Sequence, residues 1–289
     1  MSGAIAKEVA VCLNRKQSGR LAQLLSMDYS VSISDNDAAI DAQSRANFGG
    51  ALQPYAPVIA SFLKAKRLAQ ENKYEQAYDE HIAGFIEFLE IFRDETNWLI
   101  PVLHTLVHDA RLLARQADTA ISMQRGDEVH DKLKNAEQNL KKAFSMTIND
   151  RAAAEVSKKP GALYIVNQLF KIYFQLNTIS LCRNIIRAVD LQDFSRFSKR
   201  DQVTYKYYVG RILMYEDQYH KAEEHLMFAW RHCHIEYTRN KRMILKFLVP
   251  VKLILGVMPS PKLIEAYNLE EYKGIAESIR QGNVAVFNK

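Results

Sequence analysis

The stretch Gly210–Ala229 limits most sharply what this chain can fold into. Gly210 precedes an aromatic residue, Tyr219, and Ala222, Leu226 and Ala229 follow at spacings of three and four. That spacing places the three on one face of a helix. A small residue on each of two helices lets them approach closely, and a large one between them fills the groove. The segment therefore reads as a helical hairpin with Tyr219 at its turn. The same frame fits Ala65, Tyr74, Ala77, His81 and Gly84, and more loosely Phe170, Ile179, Cys182, Ile186 and Val189.

Three such frames predict stacked helix hairpins of the tetratricopeptide kind, each unit burying its apolar face on the next. The rest of the chain agrees. Apolar residues recur at helical spacing, and no run alternates with the period of a strand. Glycine and proline gather where helices should part: Gly49–Gly50 with Pro54 and Pro57, Lys158–Gly161, and Gly256 with Pro259 and Pro261. The first two dozen residues read as a separate short amphipathic helix. The polar segment from Met27 to Pro57 reads as a long loop, or as a short helix between loops. The domain reading is an N-terminal helix and polar loop over 1–54, then a helical solenoid over 55–289.

The most apolar segment, Met243–Met258, holds Lys246, Pro250 and Lys252. It is shorter than the ~20 apolar residues needed to span a bilayer, so a buried helix with a proline bend is expected, and no membrane partner. Three scattered cysteines and an N-terminus without an apolar leader point to a reducing compartment, cytosol or nucleus. The formal charge is +6, and it is unevenly placed: residues 1–195 hold 23 basic and 23 acidic side chains, residues 196–289 hold 16 and 10. A basic C-terminal third suits an acidic partner, nucleic acid or protein.

Two clusters test for metal chemistry. Tyr219–His234 carries His220, His225, His232, Cys233 and His234. His220 and His234 lie about 21 Å apart along a helix at a rise of ~1.5 Å per residue, too far to share an ion. Cys233, on the core stripe with Ala222, Leu226, Ala229 and Trp230, reads as a small buried apolar residue. His104 and His108 share a helical face, but Thr105 stands where a zinc-protease helix carries its glutamate. Packing and hydrogen bonding are the expected roles, with a metal-dependent hydrolase as the rival. No phosphate-cradling loop and no nucleophile elbow occur in the sequence. No catalytic residue, cofactor or metal is expected.

Three strings carry a resemblance: Glu95–Val102 (ETNWLIPV), Val166–Asp190 (VNQLFKIYFQLNTISLCRNIIRAVD) and Val203–Pro259, which opens VTYKYYVGRILMYEDQYHKAEEHLMFAWRH. They resemble the PCI-domain family, in the branch also described as similar to signalosome subunit twelve. The resemblance runs from about Tyr55 to the end. It implies an all-α fold, a right-handed helical-hairpin solenoid that continues into a winged helix. The sequence ends at Gly282–Lys289, where that winged helix would begin, so the expectation is a PCI solenoid truncated before it. The resemblance further implies a non-catalytic scaffold of a nuclear messenger-RNA export and transcription-coupled complex, located in the nucleus and at the nuclear pore, with the cytoplasm as a second compartment. Its implied partners are a large PCI-containing export scaffold protein, a small acidic disordered subunit, and RNA or DNA. A PCI subunit of a signalosome or proteasome-lid complex is the alternative, and a peptide-binding repeat protein a further one. The residues read as contacts for nucleic acid or an acidic partner are Arg196, Lys199 and Arg200 in one cluster, and Arg239, Lys241, Arg242 and Lys246 in another. Tyr205, Tyr207 and Tyr208 could stack bases, but their helical spacing favours the core.

Overall fold

A computed structural model describes residues 2–283, and every regular element among them is helical. The chain divides into two compact units, Met1–Leu181 and Cys182–Lys289. No helix among the described residues is long and apolar enough to cross a membrane.

The first unit holds α1 (Ser2–Asn14), α2 (Ser18–Leu25), α3 (Asp37–Asn47), α4 (Tyr55–Gln70), α5 (Tyr74–Asp94), α6 (Ile100–Arg125), α7 (Asp131–Ile148) and α8 (Ala162–Gln175). From α4 onward each helix packs on its successor. The boundaries follow local chemistry. Pro101 opens α6, where its missing N–H costs nothing, and Gly126 closes it with a left-handed φ of 80°. Asp118 of α6 caps α7 from the side: its two carboxylate oxygens accept the Lys132 and Leu133 N–H groups, both at 2.9 Å.

The N-terminal segment differs from the expected separate helix. It forms two helices, broken at Lys16, whose φ of 50° ends α1. Ile5, Ala6, Val9, Leu13, Leu21 and Leu24 are buried, α2 packs on α6, and α3, inside the polar segment, packs on α1 and α4. Helices this short are marginal alone and gain stability by burying an apolar stripe on neighbours.

The second unit holds α9 (Cys182–Asp190), α10 (Lys199–Tyr215), α11 (Tyr219–His232), α12 (Thr238–Ile254), α13 (Pro261–Ala266) and α14 (Lys273–Gln281). Ala222, Leu226, Ala229, Leu245, Leu248 and Val251 form the centre of its core. Pro250 lies inside α12 and cannot donate to the Lys246 carbonyl. The Tyr272 hydroxyl donates to that carbonyl instead, at 2.7 Å.

Two hairpins realise the predicted frame in detail. In α4–α5 a methyl group on Gly84 would come within 2.8 Å of the Ser61 Cβ, and in α10–α11 one on Gly210 would come within 2.6 Å of the Leu226 Cγ. The turns match too. Asn72 and Asp217 are left-handed, with φ of 58° and 57°. The next N–H, of Lys73 or Gln218, returns to the Leu68 or Leu213 carbonyl at 2.9 Å. The aromatic residue locks the turn: Tyr74 donates to Asn72 at 2.9 Å and Tyr219 to Asp217 at 2.6 Å. At the third frame Asn177 adopts the same conformation, and Thr178 N–H returns to Tyr173. The boundary between the units falls inside that frame, at Leu181 and Cys182. The end of the chain, 284–289, where the solenoid is expected to stop short of a winged helix, lies outside the described residues.

Candidate nucleic-acid interface

Short turns make α10, α11 and α12 antiparallel neighbours. The start of α10, the end of α11 and the start of α12 therefore share one end of the second unit. Side chains mark the junctions. Lys199, at the start of α10, lies with Nζ 5.4 Å from the Phe228 ring centre, and Lys241, at the start of α12, lies 4.2 Å from the Trp230 ring. Both rings belong to the C-terminal part of α11. Two basic clusters that are about forty residues apart in sequence are thus brought to either side of one helix end.

The start of α10 is fixed by Ser198, whose Oγ accepts the Asp201 N–H at 3.2 Å and donates to the Asp201 carboxylate at 2.6 Å. This places Lys199 and Arg200 in the first turn, both exposed. Arg196 lies in the preceding turn, exposed, with Nε 3.3 Å from the Asp193 carboxylate. Arg239 is exposed in the first turn of α12.

The other three predicted residues are placed differently. Lys241 turns inward: it is 8% exposed and donates to the Trp230 carbonyl at 3.1 Å. Arg242 donates through Nε and Nη2 to the Asn268 carbonyl at 3.1 and 2.9 Å. Arg242 and Lys246 share the Glu271 carboxylate, at 3.7 and 3.4 Å. Glu271 is held below the usual carboxylate range by its own backbone N–H and then by Lys246 and Arg242. Four of the seven cations therefore stand at the shared helix end, two lie further along α12 with carboxylate or carbonyl partners, and one is buried.

The structure adds groups that charge counting misses. His232, exposed at the end of α11, stacks on Phe228 with ring centres 4.1 Å apart and an interplanar angle of 27°. Its Nδ1 donates to the Phe228 carbonyl at 2.9 Å. Phe228 meets Phe194 edge-on at 6.4 Å, and Phe194 rests on buried Tyr205. Lys206 Nζ lies 4.9 Å from the Phe194 ring. Burial pushes the Lys206 pKa down, against the pull of Asp190 and Glu224. Burial, then the Lys206 charge, pushes His225 down to about 4. The sequence signal for the stack is the spacing of four between Phe228 and His232 at a helix end flanked by basic loops.

The remaining histidines of interest have protein partners. His104 donates to the Gly161 carbonyl at 3.0 Å and stacks on Tyr164. His108 faces the Asp109 carboxylate at 3.3 Å. Among the described residues, no three His, Cys, Asp or Glu side chains gather as a metal site. Cys233 lies just past the end of α11, buried as expected. Tyr205 and Tyr207 are core residues.

Comparison with known proteins agrees with the fold. A family model described as PSMD3-like, N-terminal TPR repeats matches residues 123–271. The chain is 37% identical to PCI domain-containing protein 2 of Xenopus laevis over 240 residues, which is 82% of this chain and 60% of that protein. It is 35% identical to enhanced ethylene response protein 5 of Arabidopsis thaliana, over 80% of this chain and 55% of that one. It is 33% identical to the protein CSN12 homolog of Neurospora crassa, over 81% and 58%. The chain thus spans a little over half the length of the curated relatives it matches. With hairpins built on Gly84 and Gly210, and a family match across more than half its length, the chain belongs to the PSMD3-like family of TPR-repeat proteins and is similar to PCI domain-containing protein 2.

Proposed function

We propose that the protein is a non-catalytic scaffold subunit of a nuclear messenger-RNA export and transcription-coupled complex, contributing to protein assembly and to nucleic-acid binding. Its partners in this reading are a large PCI-containing scaffold, a small acidic disordered subunit, and RNA or DNA. The observation that carries the nucleic-acid part is the convergence of Arg196, Lys199, Arg200 and Arg239 on one helix end, with Arg242 and Lys246 as outlying contacts. Phosphate contacts come from such side chains, and the N-termini of α10 and α12 add partial positive charge. The assembly part is supported by similarity to relatives named for a PCI domain. The similarity to a relative named as a CSN12 homolog favours a second reading, a PCI subunit of a signalosome-type or proteasome-lid-type complex.

Native purification of the full-length protein from nuclear extract, followed by mass spectrometry, separates the two. Stoichiometric recovery of a large PCI scaffold and a small acidic subunit is expected. Recovery of signalosome or lid subunits in their place would transfer the protein to the second reading.

A further inference from the structure

We infer that His232, stacked on Phe228, is a platform for an unpaired RNA base, which makes this end of the second unit a reader of single strands in preference to duplex. The inference rests on the nucleic-acid reading above and assigns that surface its substrate class.

Three observations converge. First, the imidazole is fixed before any ligand arrives. One face lies on Phe228 at 4.1 Å, and Nδ1 is tied to the Phe228 carbonyl. A carbonyl only accepts, so Nδ1 carries the proton and Nε2 remains available to a base edge. An exposed side chain usually loses rotamer freedom when it binds; this one has little left to lose. Second, the stack is supported from beneath. Phe194 meets Phe228 edge-on and rests on Tyr205, which is 1% exposed. Third, cations flank the rings. Lys199 lies over Phe228 and Lys206 over Phe194, while Arg196 and Arg200 are exposed in the adjoining loop and first turn. A stacking face beside a line of cations is the arrangement that holds a single strand, with bases on rings and phosphates on ammonium and guanidinium groups. Bases inside a duplex are stacked on each other and cannot reach such a face. Asp193 beside Arg196 and Asp190 near Lys206 moderate the charge, so stacking carries more of the binding here than on a uniformly basic surface.

The test is fluorescence anisotropy of the 289-residue chain with a labelled single-stranded RNA of mixed sequence and with the duplex of the same strand. His232→Ala should weaken single-strand binding about tenfold, the size of effect that removing one base–aromatic stack produces, and leave duplex binding within twofold. His232→Phe should restore it, because a ring replaces a ring. His232 is exposed, and matching melting curves will show that both variants fold. If His232→Ala binds the single strand as the parent does while Arg239→Glu weakens it, the platform is refuted and the nucleic-acid reading stands. If the parent chain binds neither RNA, both are refuted.

Discussion

Lys66, Lys158 and Lys241 are nearly fully buried, at 4%, 7% and 8% exposure, and each solves the same problem. Lys66 donates to the Ser26 carbonyl at the end of α2, Lys158 to the Phe92 and Arg93 carbonyls at the end of α5, and Lys241 to Trp230 at the end of α11. Each ammonium also lies near an aromatic ring, Tyr29, Phe92 or Trp230. A helix C-terminus offers unpaired carbonyls and partial negative charge, so a buried cation is stabilised there. Formal charge cannot tell Lys241 from Arg239 and Arg242 beside it, which is why all three read alike in the sequence. Replacing Lys241 by Met is expected to lower stability to urea by about 1–3 kcal/mol, the cost of an unpaired buried acceptor, and to leave RNA affinity unchanged. A second prediction concerns acid. His225 has a folded pKa near 4, below its ordinary 6.5, because of burial and then Lys206. His81, fully buried, is lowered in the same direction by burial. Between pH 6.5 and about 4 the unfolded chain binds the extra proton, so stability is intact above 6.5 and falls as pH drops. Urea midpoints measured across that window should decline, and His225→Gln should flatten the decline. An identical pH profile in the variant would show that His225 is not the group responsible.

At the scale of elements, the glycine positions make opposite predictions. A methyl group at Gly210 meets buried Leu226, whereas one at Gly274 in α14 meets nothing within 4 Å. Gly274→Ala should stabilise by about 0.5–1 kcal/mol through helix propensity. Gly210→Ala gains the same propensity but must displace Leu226, and overpacking of about 1–3 kcal/mol wins. Chemical denaturation of the two variants side by side should give opposite signs. The carbonyl that Pro250 leaves without its helical donor supplies another test: Tyr272→Phe removes the hydroxyl that donates to Lys246 and should cost about 0.5–1 kcal/mol. The hairpins were legible in the sequence because close helix contact demands small residues at fixed spacing. The N-terminal pair α1–α2 was not. Its break falls at Lys16, a residue type that signals no turn, whereas the other non-glycine left-handed positions among the described residues are Asn72, Asn177, Asp217 and Asn268, residue types that tolerate that conformation.

For the whole molecule, charge asymmetry along the sequence pointed to the second unit, but not to its arrangement. Two clusters become one surface only because α10, α11 and α12 alternate in direction, a relation that composition does not contain. The aromatic support under that surface was hidden for the same reason: Phe194, Phe228 and His232 come from two elements. In the function proposed above, this helix end acts as an electrostatic surface for nucleic acid. Its most direct test is the salt dependence of single-stranded RNA binding by the 289-residue chain. With three or four phosphates neutralised, the logarithm of the binding constant should fall with the logarithm of salt at a slope of about −2 to −3. The triple variant Arg196→Glu, Arg200→Glu, Arg239→Glu should lose most of that slope without losing its fold. A slope near zero for the parent chain, or the same slope for the triple variant, would contradict the claim.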